Sequence, residues 1–301
     1  MHRHSRIFGG VARTVLVAVA LFTLATGCGS DSGTDTDTDT DPIDFSPNVD
    51  DDVATSLAAS LAGENGGVAD QIVDIVSLAT TYGMRHNNLV ANQTSPTYNP
   101  TSRTWEWHFE RDFTSANGLY HAVVERMYQW RFLKNNGQAQ VSYVFGNDTA
   151  YTIELTIVSG EGRHLLPQLS QTLTSLSGKL VATGTNTNAV TVNGTWSRSA
   201  LDTIRTRYAV RTLDHACSLM INNMQCERDT TAQPWRGISG TLSGLYSADI
   251  TFSSGDAYAE SLVSREFAIA IDASIAEITV GDSTWTSTLR RGDIQLPPEP
   301  E

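Results

Sequence analysis

The chain has 301 residues, only three cysteines, and 20 Lys and Arg against 33 Asp and Glu, for a formal net charge of −13. Setting aside the three Arg of residues 1–27 brings the charge to −16, and setting aside the nine Asp of residues 29–52 leaves −7 for residues 53–301. An acidic body argues against nucleic acid, whose phosphates call for clustered Lys and Arg, and against electrostatic docking on anionic lipid.

At the N-terminus, Arg3, Arg6 and Arg13 precede an apolar run over residues 15–25 and then small residues. This order of positive, apolar and small zones is that of a secretory signal. The run is too short to span about 30 Å of hydrocarbon at about 1.5 Å per residue, so a permanent membrane span is not expected. The closing Ala25-Thr26-Gly27-Cys28 resembles the lipobox of bacterial lipoproteins, with Ala25 where that family most often has Leu. The resemblance covers residues 1–28 alone. It implies that residues 1–27 are a signal peptide, that Cys28 is acylated (palmitate among its chains) and becomes the new N-terminus, and that the lipid attaches the protein to a membrane of the bacterial cell envelope. Gly29 in place of Asp resembles the class usually sent on to the outer membrane.

Residues 28–52 read as the lipidated cysteine and an acidic linker, with nine Asp and no Lys or Arg after Cys28. Like charges repel and little apolar surface offsets chain entropy, so a disordered spacer is expected. Asp35, Asp37 and Asp39 have the D-x-D-x-D spacing of an oxygen-ligated ion. An EF-hand loop begun at Asp35 would need Gly and Glu where Thr40 and Ser46 stand, which disfavours specific calcium binding.

Residues 53–301 read as a single β-rich domain, since no second linker and no solenoid or propeller period interrupts them. Residues 53–62 are Ala/Leu-rich. Beyond Gly66 and Gly67, Val68, Ile72, Ile75, Val76 and Ala79 share one stripe of a 3.6-residue period, with Gly83 as a C-cap. From residue 103 the period becomes two. Asn117-Gly118 and Asn136-Gly137 are the preferred centres of two-residue hairpin turns. The first sets Trp105 opposite Trp130 and Trp107 opposite Tyr128; the second sets Trp130 opposite Tyr143 and Tyr128 opposite Phe145. With a three-residue loop over residues 147–149, a four-stranded antiparallel meander results. Its inner face carries Trp105, Trp107, Phe109, Tyr128, Trp130, Phe132, Val141, Tyr143, Phe145, Tyr151, Ile153 and Leu155.

Residues 163–178 read as irregular or briefly helical. Strands return over 179–185, 189–197, 203–212, 238–252, 257–272, 275–280 and 283–290, with a turn at Gly281-Asp282 that sets Ile278 opposite Trp285. The fold class is therefore mainly β: an antiparallel meander forming a curved open sheet, a sandwich or a barrel, led by two short N-terminal helices. An outer-membrane barrel is disfavoured, because the face opposite the aromatics carries Glu106, His108, Glu110 and Asp112 rather than a lipid-facing apolar band.

Cys217 and Cys226 bracket CSLMINNMQC and would pair across a hairpin looped over residues 220–223, so an exported chain is expected to join them in a disulfide. A zinc site with nearby His215 lacks a fourth ligand at typical spacing. The strand face of Glu106, His108, Glu110 and Asp112 is the most catalytic-looking cluster, with successive side chains about 7 Å apart along the strand. No G-x-S-x-G elbow, P-loop, G-x-G-x-x-G fingerprint or H-E-x-x-H is present. The expected function is that of a non-catalytic, lipid-anchored envelope protein that binds a ligand or partner or is structural, its partner an apolar small molecule or an envelope protein, with no cofactor and no resident metal. The alternative is an envelope hydrolase or metal-dependent enzyme using the Glu106/His108/Glu110 face.

Overall fold

The computed structural model describes residues 46–79, 92–93, 95–115, 117–228 and 237–295. The signal, Cys28, the Asp35–Asp39 run and Gly83 lie outside the described residues. Helix α1 (Ser46–Leu61), a 3-10 turn at Gly63–Asn65 and helix α2 (Val68–Ser77) come first. Short edge strands β1 (Asn92–Gln93) and β2 (Thr97–Asn99) pair with β3 (Thr104–Thr114), which pairs with β4 (His121–Leu133). A short excursion comes next, made of β5 (Ala139–Gln140), β6 (Val144–Phe145) and β7 (Asp148–Thr149). Six long strands continue the chain: β8 (Thr152–Leu165), β9 (Leu169–Thr183), β10 (Ala189–Arg205), β11 (Val210–Glu227), β12 (Ile238–Ser254) and β13 (Ala257–Asp272). The chain ends in β14 (Ile275–Val280), β15 (Ser283–Thr288) and β16 (Ile294–Gln295).

Twelve strands form one antiparallel path, β1-β3-β4-β8 and then in chain order to β16. Among the described residues no strand pair joins the two ends, so of the three expected forms the sheet is the open one. It is nevertheless bridged. The backbone N–H groups of Gly63 and Glu64 donate to the carbonyls of Leu289 and Arg290, just past β15, at 2.7 and 2.9 Å. From the other end Arg111 of β3 donates to Asp70 at 3.2 Å. The helical segment thus occupies the seam between the sheet's edges.

The two-residue period explains the inner face. In β4 the buried residues are Ala122, Val124, Arg126, Tyr128, Trp130 and Phe132, every second one. The helices pack on this face. From Asp52 to Ala62 every residue but Thr55 is buried, so α1 is enclosed nearly all round, and its Ala and Ser side chains let the sheet come close. Past β15, Gly292 sits at φ +75°, and a Cβ there would meet the Ala58 carbonyl oxygen at 2.5 Å.

The first hairpin has the expected register, Trp105 opposite Trp130 and Trp107 opposite Tyr128, with the Trp105 and Trp130 rings stacked 6.1 Å apart. The expected third strand needs correction. Gly137 takes φ +78° and its N–H donates to Lys134, while Lys134 N–H donates to the Gln138 carbonyl, so the loop is one residue longer than a two-residue turn. This sets Phe132 opposite Gln140, pairing lasts two residues, and β8 takes the place beside β4 with Trp130 opposite Leu155 and Phe132 opposite Ile153. Tyr143 still reaches the core, 6.5 Å from the Phe132 ring, but Phe145 and Tyr151 are exposed and Val141 is half-buried.

Three further expectations are revised. Residues 163–178 are not irregular but form the turn half of the β8–β9 hairpin. Helix α1 begins at Ser46, inside the stretch read as spacer. Asp50 there pairs with Arg265 at 2.8 Å, and Asp51 accepts the Trp285 indole N–H at 2.9 Å. Finally, Cys217 and Cys226 are both free and buried on the single strand β11. No hairpin forms over residues 220–223; β11 runs on past a bulge at Asn222–Gln225, where Asn223 takes φ +51°. Nine residues of strand separate the thiols by roughly 30 Å, and burial pushes both up to about 12.

Candidate functional site

Inside the sheet, successive elements each place one polar side chain at a position whose neighbours in the alternation are apolar. Ser56 comes from α1, Gln171 from β9, Asp202 from β10, His215 from β11 and Tyr246 from β12, all of them buried. Ser56 Oγ donates to Asp202 Oδ2 at 2.6 Å, and Gln171 Nε2 donates to the same oxygen at 3.0 Å. His215 Nε2 lies 3.2 Å from Asp202 Oδ2 and 3.2 Å from Ser56 Oγ, and its ring stacks on Tyr246 with centroids 4.9 Å apart. Burial alone would raise the Asp202 carboxyl. The hydrogen bond and field of His215, the Arg198 guanidinium and Ser56 together hold it below the usual carboxylate range.

The residue types are those of a nucleophilic triad, but the wiring is not. In a triad the carboxylate holds Nδ1 and leaves Nε2 to take the serine proton. Here carboxylate and hydroxyl meet at the same Nε2, while Nδ1 has no partner. The His215 and Asp202 side chains have no solvent exposure, so a substrate has no approach. The constellation fastens α1 to the sheet. Sequence reasoning missed it, and the available signal was a polar residue in a core phase, as in Leu169-x-Gln171-x-Leu173 or Leu213-x-His215-x-Cys217.

On the outer face, the expected cluster is regrouped. Cross-strand register puts Glu125 opposite Glu110 and diagonal to His108, and the ligand atoms of His108, Glu110 and Glu125 all lie within 4.8 Å of one another. His108 Nε2 is 2.8 Å from Glu125 Oε1. Glu106 is drawn away, accepting from Gln129 at 3.3 Å, and Asp112 engages His121 at 2.9 Å. One imidazole and two carboxylates suit a borderline divalent cation such as zinc or manganese. All three residues are exposed, whereas ligands of tight sites are held by supporting partners in a water-excluding shell.

The same outer face carries a groove of about 630 Å³ across the middles of β9 to β13. Its walls are short side chains, Ser177, Ser197, Ser218 and Ser243, with the half-exposed Met220 and Leu245 set among them. The floor is possible because Gly244 lacks a Cβ, which would meet the Ser218 carbonyl oxygen at 2.1 Å and the Phe267 ring at 2.7 Å. The chain matches no family model, no curated protein and no solved structure with which it was compared.

Proposed function

We propose that this chain is a lipid-anchored protein of the bacterial cell envelope, attached to the outer membrane through Cys28, whose folded body acts by binding a partner and not by catalysis. The observation that carries the reading of the body is the contrast between its two faces. The Ser56, His215 and Asp202 side chains are sealed and wired against proton relay, whereas the outer groove of about 630 Å³ is open and offers two apolar side chains in a ring of hydroxyls. The helices fill the inner face, so an apolar small molecule or an envelope protein would engage the outside of the sheet. The lipobox resemblance at residues 25–28 supports the anchor.

Replacing Cys28 by Ser tests the anchor. The expected result is loss of incorporated palmitate and release of the body from the membrane fraction; retention of a lipid-shifted mass refutes it. Ser56→Ala tests the non-catalytic reading, since any hydrolytic activity that this substitution abolishes while the fold persists would refute it. A second reading, metal-dependent chemistry, is favoured by the convergence of His108, Glu110 and Glu125. Calorimetric titration with zinc or manganese, compared between the native protein and His108→Ala, decides it; equal heats rule it out.

A further inference from the structure

A second interior feature lies between the 3-10 turn and strands β4, β8, β9 and β10. It is a cavity of about 20 Å³, and Arg126, His164, Trp196 and Arg198 line it with Gln171 while Arg163 stands exposed beside them. The space admits a water-sized occupant and is far too small for an organic acid of gluconate size. No Asp or Glu lines it.

Its polar groups are short of partners. Arg126 donates from Nη1 to the carbonyls of Glu125 and Glu161, both at 2.7 Å, and from Nη2 to that of Gly66 at 2.9 Å, which leaves Nε without an acceptor. Arg198 has no acceptor at Nε or Nη2, and the Trp196 ring centre lies 5.9 Å from its guanidinium carbon. The Trp196 indole N–H and both His164 ring nitrogens are likewise buried and unpartnered. Burial holds His164 down at about 3, so it is neutral at neutral pH and keeps one N–H to donate.

The nearby carboxylates are committed elsewhere. Asp202 is shared by Ser56, Gln171 and His215; Asp70 pairs with Arg111; Asp74 accepts from Tyr128, and burial, reinforced by Asp70, pushes its carboxyl well above the usual range. Neither Arg126 nor Arg198 forms an ion pair among the described residues. Two buried guanidiniums therefore face one ionised buried carboxylate, and an unpaired charge is costly in such a setting. Space for Arg126 is built in: a Cβ on Gly160, its cross-strand neighbour, would meet Arg126 Cδ at 2.8 Å, and one on Gly66 would meet Nη2 at 3.0 Å. We infer that this cavity is a binding site for a small monovalent inorganic anion of chloride size, held between Arg126 and Arg198 with N–H donation from His164 and Trp196.

Crystals of the intact protein grown in bromide provide the direct test. The expected result is an anomalous peak inside the cavity; density explained by water alone overturns the assignment. In solution, thermal midpoints are compared in chloride and in gluconate, which the cavity cannot admit, at one ionic strength. A saturable gain of about 2–4 °C in chloride is expected at a concentration several times Kd. Equal midpoints overturn the proposal, as does a chloride gain that survives unchanged in Arg198→Met. Should that variant fail to fold, the bromide experiment on the native protein still decides.

Discussion

Replacing Asp202 by Ala removes the acceptor on which three buried side chains converge. Ser56 Oγ, Gln171 Nε2 and His215 Nε2 all lie within 3.2 Å of Asp202 Oδ2 in the native fold. None can turn to water, and Arg198 loses the charge that offsets its own burial. Breaking a buried, hydrogen-bonded charge cluster by deleting one member costs about 3–5 kcal/mol. For a domain of this size that is a drop of roughly 6–20 °C in the thermal midpoint. Urea unfolding followed by tryptophan fluorescence measures it, and the slope m should be unchanged while the midpoint falls. Because the folded Asp202 carboxyl is held below its usual range, its contribution is full above the unfolded value of about 3.9 and is lost as pH falls through the lower folded value. The deficit of the variant should therefore narrow only in strong acid. A loss below about 1 kcal/mol at neutral pH would refute the network as the fastening of α1, since that is the worth of a single ordinary hydrogen bond.

Asp52 carries the opposite pH signature: burial, with a smaller push from Asp51, lifts its carboxyl to about 7 against the field of Arg211, whose Nη1 donates to Oδ1 at 3.4 Å and whose Nε lies 3.2 Å from Oδ2. A raised folded value means stability that is full below about 3.9 and lost as pH rises toward 7, so Asp52→Asn should flatten the fall in urea midpoint between pH 4 and 8 by an amount on the order of a few kcal/mol; an unchanged slope contradicts it. Cys217 and Cys226 should resist a thiol reagent in the native state and both label in denaturant without any reductant; protection that persists until reduction would mean they are bonded. Gly244→Ala should cost about 1–3 kcal/mol through the clash with the Ser218 carbonyl, whereas Ala at Gly255, which has open space but φ +58°, should cost only about 1 kcal/mol from backbone strain; comparable losses would refute the close packing under the groove.

The legible part of the sequence was the part with uninterrupted period. Trp105, Trp107, Tyr128 and Trp130 fall on one face because β3 and β4 alternate without a break through their contact and Asn117-Gly118 centres the turn. Register was lost wherever one residue was inserted. The left-handed Gly137 lengthened the second turn by one and ended the third strand after Gln140. In β9 the buried set runs Leu169, Gln171, Leu173 and then changes phase to Leu176, Leu180 and Ala182, where the pairing with β10 is irregular beside Ser199. A broken two-residue pattern looks aperiodic, which is why residues 163–178 did not read as strand. Likewise, the bulge around Asn223 imitates the turn that would have joined Cys217 to Cys226. Of the polar clusters, His108 and Glu110 are visible as neighbours on one strand, and the register centred on Asn117-Gly118 sets Glu125 opposite Glu110, as the structure has it. Ser56, Asp202 and His215 lie on three elements spread over 160 residues, and no local pattern links them.

The position of α1 gives the proposed anchor a mechanical meaning. The chain enters the described domain at Ser46 and runs straight into a helix that the sheet encloses. Three consecutive acidic residues near its start grip three separate strands: Asp50 holds Arg265 of β13, Asp51 holds Trp285 of β15, and Asp52 faces Arg211 of β11. One turn further, Ser56 is tied to Asp202 of β10. A pull transmitted from a lipid at Cys28 would therefore be divided among four strands at once, instead of peeling a single edge strand, whose hydrogen bonds would break in sequence. The same contacts explain why these carboxylates lie where composition suggested only a solvated linker. Their charge serves the fold, and the −7 left after setting them aside with the rest of the linker understates the acidity of the folded body.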